Sequence, residues 1–292
     1  MSNPSGQVAS VQAKLKNKSK ALNIDNSIVI HKYFIDCFLE KLSKSAYSQY
    51  FVLKGGFVLS AITGLAQRTT LDVDALLNGV ALNEENLKKM IENIIEPEDG
   101  EVFRLEFDKI IPIQKEKAYQ GLEVHMTGVL GNIPLNFHVD TVTGETLDPS
   151  AIDLSYDPIL GDKKITIRRY RTERMLAEKL QTVLELSAVN SRMKDFYDVY
   201  LISKLDQVDE NLLATTFQKL MKERNTQDLW AERNSTLELI AEDSKMKQSW
   251  QRYAARHKYV GQLTFGETLD IVSNYFSQID RILSSKNLFK IS

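Results

Sequence analysis

The feature that most constrains this chain is a glycine pair followed by two aspartates with one valine between them. It lies in "LKGGFVLSAITGLAQRTTLDVD", residues 53–74. The apolar residues before Gly55–Gly56 predict a short strand, and the residues after the glycines predict a helix that breaks at Gly64. The β-branched stretch around Asp72 and Asp74 predicts a second strand. The sequence therefore predicts a strand, a tight turn, a helix and a strand in close succession.

The two aspartates should lie on one face of the second strand, because alternate strand residues share a face. Leu71 and Val73 should then point toward the core. Neighbouring carboxylates repel each other, and the repulsion raises at least one pKa unless a cation lies between them. Oxygen ligands suit Mg²⁺ or Mn²⁺, and magnesium commonly shares its coordination with substrate phosphates. We therefore predict that Asp72 and Asp74 bind metal, with ordinary solvated carboxylates as the alternative.

The glycine pair could supply the matching phosphate site. Glycines allow the backbone to approach a ligand closely, and the first N–H groups of the following helix attract anions. Gly55, Gly56 and the residues that lead into the aspartate strand, Arg68 and Thr70, are the predicted nucleotide-binding residues of this region. A Gly-Gly turn by itself is usually only a turn, so the prediction depends on its combination with the aspartates.

The pattern along the rest of the chain predicts two parts. In the first, helical periodicity covers 7–20, 26–46 and 84–95, and strand-like runs cover 101–113, 122–130 and 133–142. Gly131–Asn132 is a predicted hairpin turn. This order favours an α/β (α+β) fold, a mixed sheet with flanking helices.

The second part should be a helical domain. Residues 147–164 contain two prolines and predict a loop-rich boundary, so the expected domains are 1–165 and 166–292. Helical periodicity then covers 172–189, 195–204, 209–223, 228–256 and 264–285.

Composition excludes few functions. The formal net charge is −2, which argues against broad coating of nucleic acid or membrane. The single cysteine, Cys37, permits no internal disulfide and favours a reducing compartment. The chain shows no signal-peptide pattern and no apolar run long enough to span a membrane. We expect a cytoplasmic protein without a membrane partner.

Three motifs in order carry a family resemblance: the glycine–aspartate stretch, "AEKL" at 177–180 and "KDFYDVYLI" at 194–202. They resemble those of the AbiEii/AbiGii-type nucleotidyltransferase toxins, relatives of the MenT toxins in the DNA polymerase β-like superfamily. The resemblance implies a nucleotidyltransferase fold whose helical domain completes the active-site cleft. Gly56 stands where the wider superfamily commonly has serine, which leaves phosphate contact to backbone amides.

The resemblance also implies a third acidic metal ligand. Two-metal nucleotidyl transfer requires a further carboxylate on a neighbouring strand, and Asp140 matches the family's position. Glu106 and Glu123 are fallback choices, and a turn-capping role is the alternative for Asp140. His125 and His138 also lie on strand-like runs, and we expect both to be structural.

Lys179 lies on the packing side of its predicted helix, where an ammonium group needs an anion. The pattern alone favours a salt bridge with a carboxylate, whereas the resemblance implies contact with the nucleotide's phosphates. Asp195 and Asp198 share a helix face. Asp195 could cap the helix, and Asp198 could orient Lys179 or Arg192 or act as a base.

Arg192 and Lys194 could contact phosphates or belong to an ordinary basic surface. The same two alternatives apply to the arginines of "RRYRTERM" at residues 168–175. The implied activity is Mg²⁺- or Mn²⁺-dependent transfer of NMP from an NTP, with Asp72, Asp74, Lys179 and Asp198 as catalytic residues.

The resemblance further implies the toxin of a type IV-like toxin–antitoxin pair in abortive phage defence, with a cognate antitoxin, growth arrest as its effect and tRNA as a possible acceptor. Modification of a small molecule or protein, or nucleotide binding without turnover, remains the alternative.

Overall fold

The computed structural model describes residues 4–81, 83–113, 121–205 and 208–285. Its chain divides into two compact units, Met1–Tyr170 and Arg171–Ser292. The expected boundary at 165/166 falls at the start of a strand, Ile165–Arg169, which belongs to the first unit.

The described residues of the first unit form a sheet of seven strands: β1 Phe51–Lys54, β2 Asp72–Leu77, β3 Phe103–Ile113, β4 Gly121–Leu130, β5 Ile133–Val142, β6 Ile152–Tyr156 and β7 Ile165–Arg169. Their order in the sheet is β3-β4-β5-β2-β1-β7-β6. The pairs β2–β5 and β1–β7 are parallel and the other neighbours are antiparallel. This mixed sheet confirms the predicted fold class.

Within the described part of this unit, four helices accompany the sheet: α1 Pro4–Leu22, α2 Asn26–Lys44, α3 Gly55–Thr63 and α4 Glu84–Ile94. Helix α2 packs on the sheet through large aromatic side chains. The ring of Phe38 meets that of Phe137 in β5, and a Cβ at Gly128 in β4 would overlap the ring of Phe34. The absence of a side chain at Gly128 therefore lets α2 lie close to β4. Cys37 in the same helix is buried.

The neighbouring strands β4 and β5 form the predicted two-residue hairpin. Leu130 pairs with Ile133 across the turn, and Gly131 has a positive φ of 63°, the backbone region that such turns require. Burial alternates along both strands. One face is apolar core, with Val124 and Val139 fully buried, and the other carries polar side chains.

Two parts of the prediction were wrong. The stretch expected to be loop-rich contains β6, which pairs with β7 at the sheet edge. Pro158 and Gly161 belong only to the connection between these strands. Leu71, expected in the core, is 40% exposed, because β2 begins one residue later at Asp72 and strand alternation does not yet orient it.

In the second unit, the described residues form helices and short 3-10 turns without a strand, which agrees with the predicted helical domain. The helices are α5 Thr172–Leu186, α6 Met193–Ser203, α7 Glu210–Glu223, α8 Arg233–Glu242, α9 Ser244–Arg256 and α10 Phe265–Ser285. The single helical stretch expected over 228–256 is divided at Asp243. The carboxylate of Asp243 accepts a hydrogen bond from the N–H of Met246 and caps α9.

Candidate functional site

A row of polar side chains crosses the centre of the sheet. Asp74 in β2 is the register partner of Asp140 in β5, and Asp140 is the partner of Glu123 in β4. One step along the strands, Asp72 is the partner of His138. Because directly opposed residues point to the same face, the sheet brings these side chains together. The predicted Asp72, Asp74 and Asp140 thus lie on adjacent strands with matching register, and together with Glu123 they form what we call the acidic row.

Asp140 has the burial and the electrostatics of a candidate metal ligand. Its Oδ1 is buried and accepts no hydrogen bond from the described residues. Burial, followed by the nearby charge of Asp74, raises the pKa of Asp140 to about 6. A buried carboxylate oxygen without a donor is costly. A bound cation at this point would remove that cost.

The residues around Asp140 form a compact donor set. Ligand atoms of Glu123, His138 and Asp140 all lie within 4.8 Å of one another. Nε2 of His138 lies 3.4 Å from Oδ1 of Asp72, and this contact raises the pKa of His138. Two carboxylates with an imidazole can hold a divalent cation, and the imidazole favours transition metals over magnesium.

His138 was predicted to be structural and not a member of this set, and Glu123 was predicted only as a fallback for the third carboxylate. The available signal was the spacing of His138 and Asp140, two residues apart on one strand, which places them on one face. Glu106, the other fallback, lies in β3, where its carboxylate accepts a hydrogen bond from Arg104.

The glycine pair lies directly against the acidic row. Helix α3 begins at Gly55, whose φ is +70°, and a Cβ at this residue would overlap Oδ2 of Asp74. A Cβ at Gly56 would lie 2.9 Å from Nη2 of Arg68. Gly55 is therefore required both for the turn and for close packing against Asp74, whereas the absence of a side chain at Gly56 makes room for Arg68.

The first turn of α3 has no side-chain cap. No side-chain hydrogen bond from the cap residue, Lys54, satisfies its N–H groups within the described chain, whereas α2, α4, α7 and α9 each have an Asp or Asn cap. Uncapped N–H groups with the positive end of the helix dipole favour an anion. The predicted phosphate site thus begins beside Asp74.

Arg68 and Thr70 lie behind the glycine turn. Both are buried, with exposed fractions of 5% and 8%. Nη1 of Arg68 donates to the carbonyl of Thr69 at 2.6 Å, and Oγ1 of Thr70 accepts from the N–H of Asp72 at 3.3 Å. These contacts connect the turn to the start of β2. Direct nucleotide contact by the two residues stays a prediction.

The second unit contains a buried ionic cluster around Lys179 on α5. Its ammonium group donates to Asp195 at 3.0 Å and to Asp198 at 2.7 Å. Desolvation alone would lower the pKa of Lys179, but the two carboxylates outweigh it and raise the pKa. Nε of Arg192 lies 2.8 Å from the other oxygen of Asp195. Asp195 therefore pairs with two cations, and Asp198 pairs with Lys179.

One N–H of the Lys179 ammonium group remains for the predicted phosphate contact. An ammonium group carries three hydrogens, and the carboxylates account for two. The salt bridge expected from the pattern alone is thus present, and the phosphate contact implied by the resemblance remains a prediction.

The arginine run at 168–175 does not behave as one surface. Arg174 is 2% exposed and pairs with Glu178 and Glu223 in the interior of the second unit. Arg168 in β7 donates to the carbonyl of Gln49 at 2.8 Å.

Comparison with known proteins identifies the family. A family model described as nucleotidyl transferase AbiEii toxin, type IV TA system, matches residues 37–272, which is most of the chain. The chain belongs to the AbiEii family. This membership confirms the resemblance drawn from the three motifs, and it makes the protein a nucleotidyltransferase of a toxin family.

Two solved structures are similar to this chain. A crystal structure from H. pylori, described as a proposed nucleotidyltransferase, superposes with a TM-score of 0.50 at 13% identity, over 90% of this chain and 98% of that chain. A second, described as JHP933 from Helicobacter pylori, has a TM-score of 0.48 at 13% identity, over 90% and 96% of the two chains. No curated protein matches the chain significantly.

A helix needs about 18 consecutive apolar residues to cross a bilayer. Over the described residues, every helix of this AbiEii protein is too short or too polar to span a membrane.

Proposed function

We propose that this AbiEii protein is a divalent-metal-dependent enzyme that transfers NMP from an NTP to an RNA acceptor, with tRNA as the first acceptor to test. The observation that carries the proposal is the contact between the uncapped, glycine-led start of α3 and Asp74 in the acidic row. A triphosphate and its metal need these two features side by side.

Each candidate site residue of the first unit has a role in this proposal. Asp72, Asp74 and Asp140 hold Mg²⁺ or Mn²⁺, and His138 and Glu123 complete or orient the set. The amides of Gly55 and Gly56 contact the phosphates, and Arg68 and Thr70 hold the turn that presents them. The bound metal would neutralise charge on the phosphates and lower the pKa of the attacking hydroxyl.

The reaction is an in-line displacement at the α-phosphorus. A hydroxyl oxygen of the acceptor forms the new P–O bond, the bond to the bridging oxygen of pyrophosphate breaks, and the hydroxyl proton passes to a base or to solvent. Lys179 is our proposed contact for the triphosphate, with Asp198 orienting it and Arg192 adding positive charge. Of the roles considered for Asp198 from the sequence, this proposal keeps only the orientation of Lys179.

The biological role follows from the family. We propose that nucleotidylation of the acceptor arrests growth, that a cognate antitoxin counteracts it, and that the pair acts in phage defence. The AbiEii family description supports a toxin of a type IV toxin–antitoxin system.

The direct test is incubation with α-³²P-labelled NTPs, Mg²⁺ or Mn²⁺ and total tRNA, followed by gel separation. Label in RNA with the parent protein supports the proposal. Label in protein or in small molecules instead identifies another acceptor class, and NTP binding without any transfer contradicts catalysis.

Matched variants make the test specific. Asp74→Asn should abolish transfer, whereas Asp153→Asn should not, because Asp153 is an exposed carboxylate in β6 of the same sheet, outside the acidic row. Equal transfer by the parent and Asp74→Asn would overturn the assignment. Induced expression should show the same ranking in growth arrest.

A further inference from the structure

One segment of the second unit departs from the balanced charge of the chain. The whole sequence has 37 Lys and Arg against 39 Asp and Glu. Residues 244–258, "SKMKQSWQRYAARHK", contain five Lys and Arg and one His with no acidic residue. We call this the basic segment. It covers helix α9 and the start of the following 3-10 turn, so it presents positive charge on a defined scaffold.

A pocket of about 320 Å³ opens on the basic segment. Its walls include Arg252, Tyr253, Arg256 and His257 from the segment, and Ser191 and Met193 from the residues around the start of α6. Arg252 and Arg256 are both exposed and lie four residues apart, on one face of α9. The pocket therefore combines two guanidinium groups with aromatic rings.

The arginines of the pocket are not neutralised by carboxylates. Arg252 has weak contacts of 3.4 Å with the carbonyl of Gln248 and the hydroxyl of Ser249, and neither Arg252 nor Arg256 forms an ion pair with a described acidic residue. Elsewhere in this unit Arg174, Arg233 and Arg281 each pair with a carboxylate. Two such guanidinium groups on one helix face suit an anion.

The aromatic wall is held in place by other rings. The ring centroids of Tyr253 and His257 are 4.5 Å apart, and His257 stacks on Tyr259 at 5.1 Å with an interplanar angle of 27°. The hydroxyls of Tyr253 and Tyr259 are 3.0 Å apart. Rings fixed in this way next to arginines can stack with a nucleobase.

We propose that this pocket binds a single-stranded segment of an RNA acceptor. A phosphodiester contacts Arg252 and Arg256, and an adjacent base stacks on the rings of Tyr253 and His257. The inference rests on the proposed function, because it locates the acceptor of that reaction on the chain.

The extent of the charge favours RNA over a mononucleotide. A stripe along one face of α9 contains Lys245, Ser249, Arg252 and Arg256, which are three or four residues apart. At about 1.5 Å per residue, this stripe is about 17 Å long. A backbone that tracks such a stripe contacts several phosphates, whereas a single NTP would need only the pocket.

The experiment measures binding of a fluorescein-labelled, mixed-sequence RNA of about twelve nucleotides by anisotropy, at several salt concentrations. Arg252→Gln/Arg256→Gln should weaken binding at least tenfold and reduce the slope of log K against log salt by about 1.4, since each single-strand phosphate contact contributes about 0.7. His257→Ala should weaken binding on the order of tenfold with an unchanged slope, because stacking is not ionic.

The control removes the same charge at the same spacing elsewhere. Lys14 and Lys18 are exposed residues of α1, four apart, and Lys14→Gln/Lys18→Gln should bind the RNA as the parent does. The charge-keeping Arg252→Lys/Arg256→Lys variant should retain the salt slope and lose only part of the affinity. Circular dichroism of every variant checks the fold.

Equilibrium dialysis with labelled NTP separates this inference from the proposed function. Parent-like NTP binding with weakened RNA binding supports the pocket as an RNA site, whether or not transfer is observed. Unchanged RNA binding, no RNA binding by the parent, or a loss of NTP binding in place of RNA binding would each overturn it. Lost transfer by Asp74→Asn with intact RNA binding would support both proposals independently.

Discussion

Replacing Gly55 with alanine tests the packing of the glycine turn against the acidic row. The residue has a φ of +70°, and an alanine in this region costs about 1–2 kcal/mol. The added Cβ would also overlap Oδ2 of Asp74, so the carboxylate must move. A displacement of about 1 Å at a reacting group can reduce the rate about 100-fold. Gly55→Ala should therefore lose both stability and activity.

Gly64 provides the matched control at the other end of the same helix. Its φ is +94°, and a Cβ there would meet nothing within 4 Å. Gly64→Ala should also lose stability, on the order of 1–3 kcal/mol because its backbone lies in a region that essentially only glycine adopts, and it should keep its activity. Urea unfolding gives the free energies of unfolding. Transfer of labelled NMP, measured under conditions in which each variant is fully folded, gives the rates. Parent-like activity of Gly55→Ala, or equal inactivation by Gly64→Ala, would refute the reasoning.

Three further predictions concern charge and packing. With chelator present, Asp140→Asn should stabilise the protein at pH 7.5. The difference between a pKa of about 6 and the ordinary 3.8 corresponds to about 3 kcal/mol, which solvent screening of this half-exposed group reduces to on the order of 1 kcal/mol. Because the folded-state pKa of Asp140 is the higher one, the free energy of unfolding of the parent should be highest below about pH 4 and should fall as the pH rises through about 6. A parent free energy of unfolding that is flat across this window, or a pH profile identical to that of Asp140→Asn, would contradict this prediction. Lys179→Met should cost about 3–5 kcal/mol by leaving Asp195 and Asp198 buried without their cation, and adding Asp195→Asn and Asp198→Asn should recover much of it in urea unfolding; a neutral single substitution would show that the cluster contributes nothing. Gly128→Ala should cost about 1–3 kcal/mol through overlap with Phe34, and Phe34→Leu in the same chain should recover part of this cost; an additive loss in the double variant would rule out the contact as its source.

Local sequence patterns predicted the elements that carry the candidate site. The alternation around Asp72 and Asp74, the glycines that open α3 and the hairpin at Gly131–Asn132 all depend on neighbouring residues, and the structure has each of them. The helical periodicity of the second half is equally local. Its division at Asp243 was missed, although an aspartate followed by a helical run is a typical cap.

Sheet register could not be predicted in the same way. The grouping of Asp74, Asp140 and Glu123 depends on the parallel pairing of β2 with β5 and the antiparallel pairing of β4 with β5. Helix α4 and strands β3 and β4 lie between β2 and β5 along the chain, and no local pattern fixes a pairing of strands so far apart. His138 joins the site only through this register, which explains why it was expected to be structural.

Strands β6 and β7, the last two at one end of the sheet, were missed because prolines and glycines around them suggested loops. Their pairing is set by the rest of the sheet, since β7 adds in parallel to β1, and the sequence near Ile152 has only a short alternation. Tertiary context decided the conformation there.

The proposed chemistry requires that the acidic row holds a divalent cation which bridges to a triphosphate. Mn²⁺ electron paramagnetic resonance, with a non-hydrolysable NTP analogue present, measures this directly. The parent and Asp153→Asn should take up Mn²⁺ with the same affinity, and Asp74→Asn should take up little. Absence of Mn²⁺ uptake by the parent, or equal uptake by Asp74→Asn, would contradict the claim.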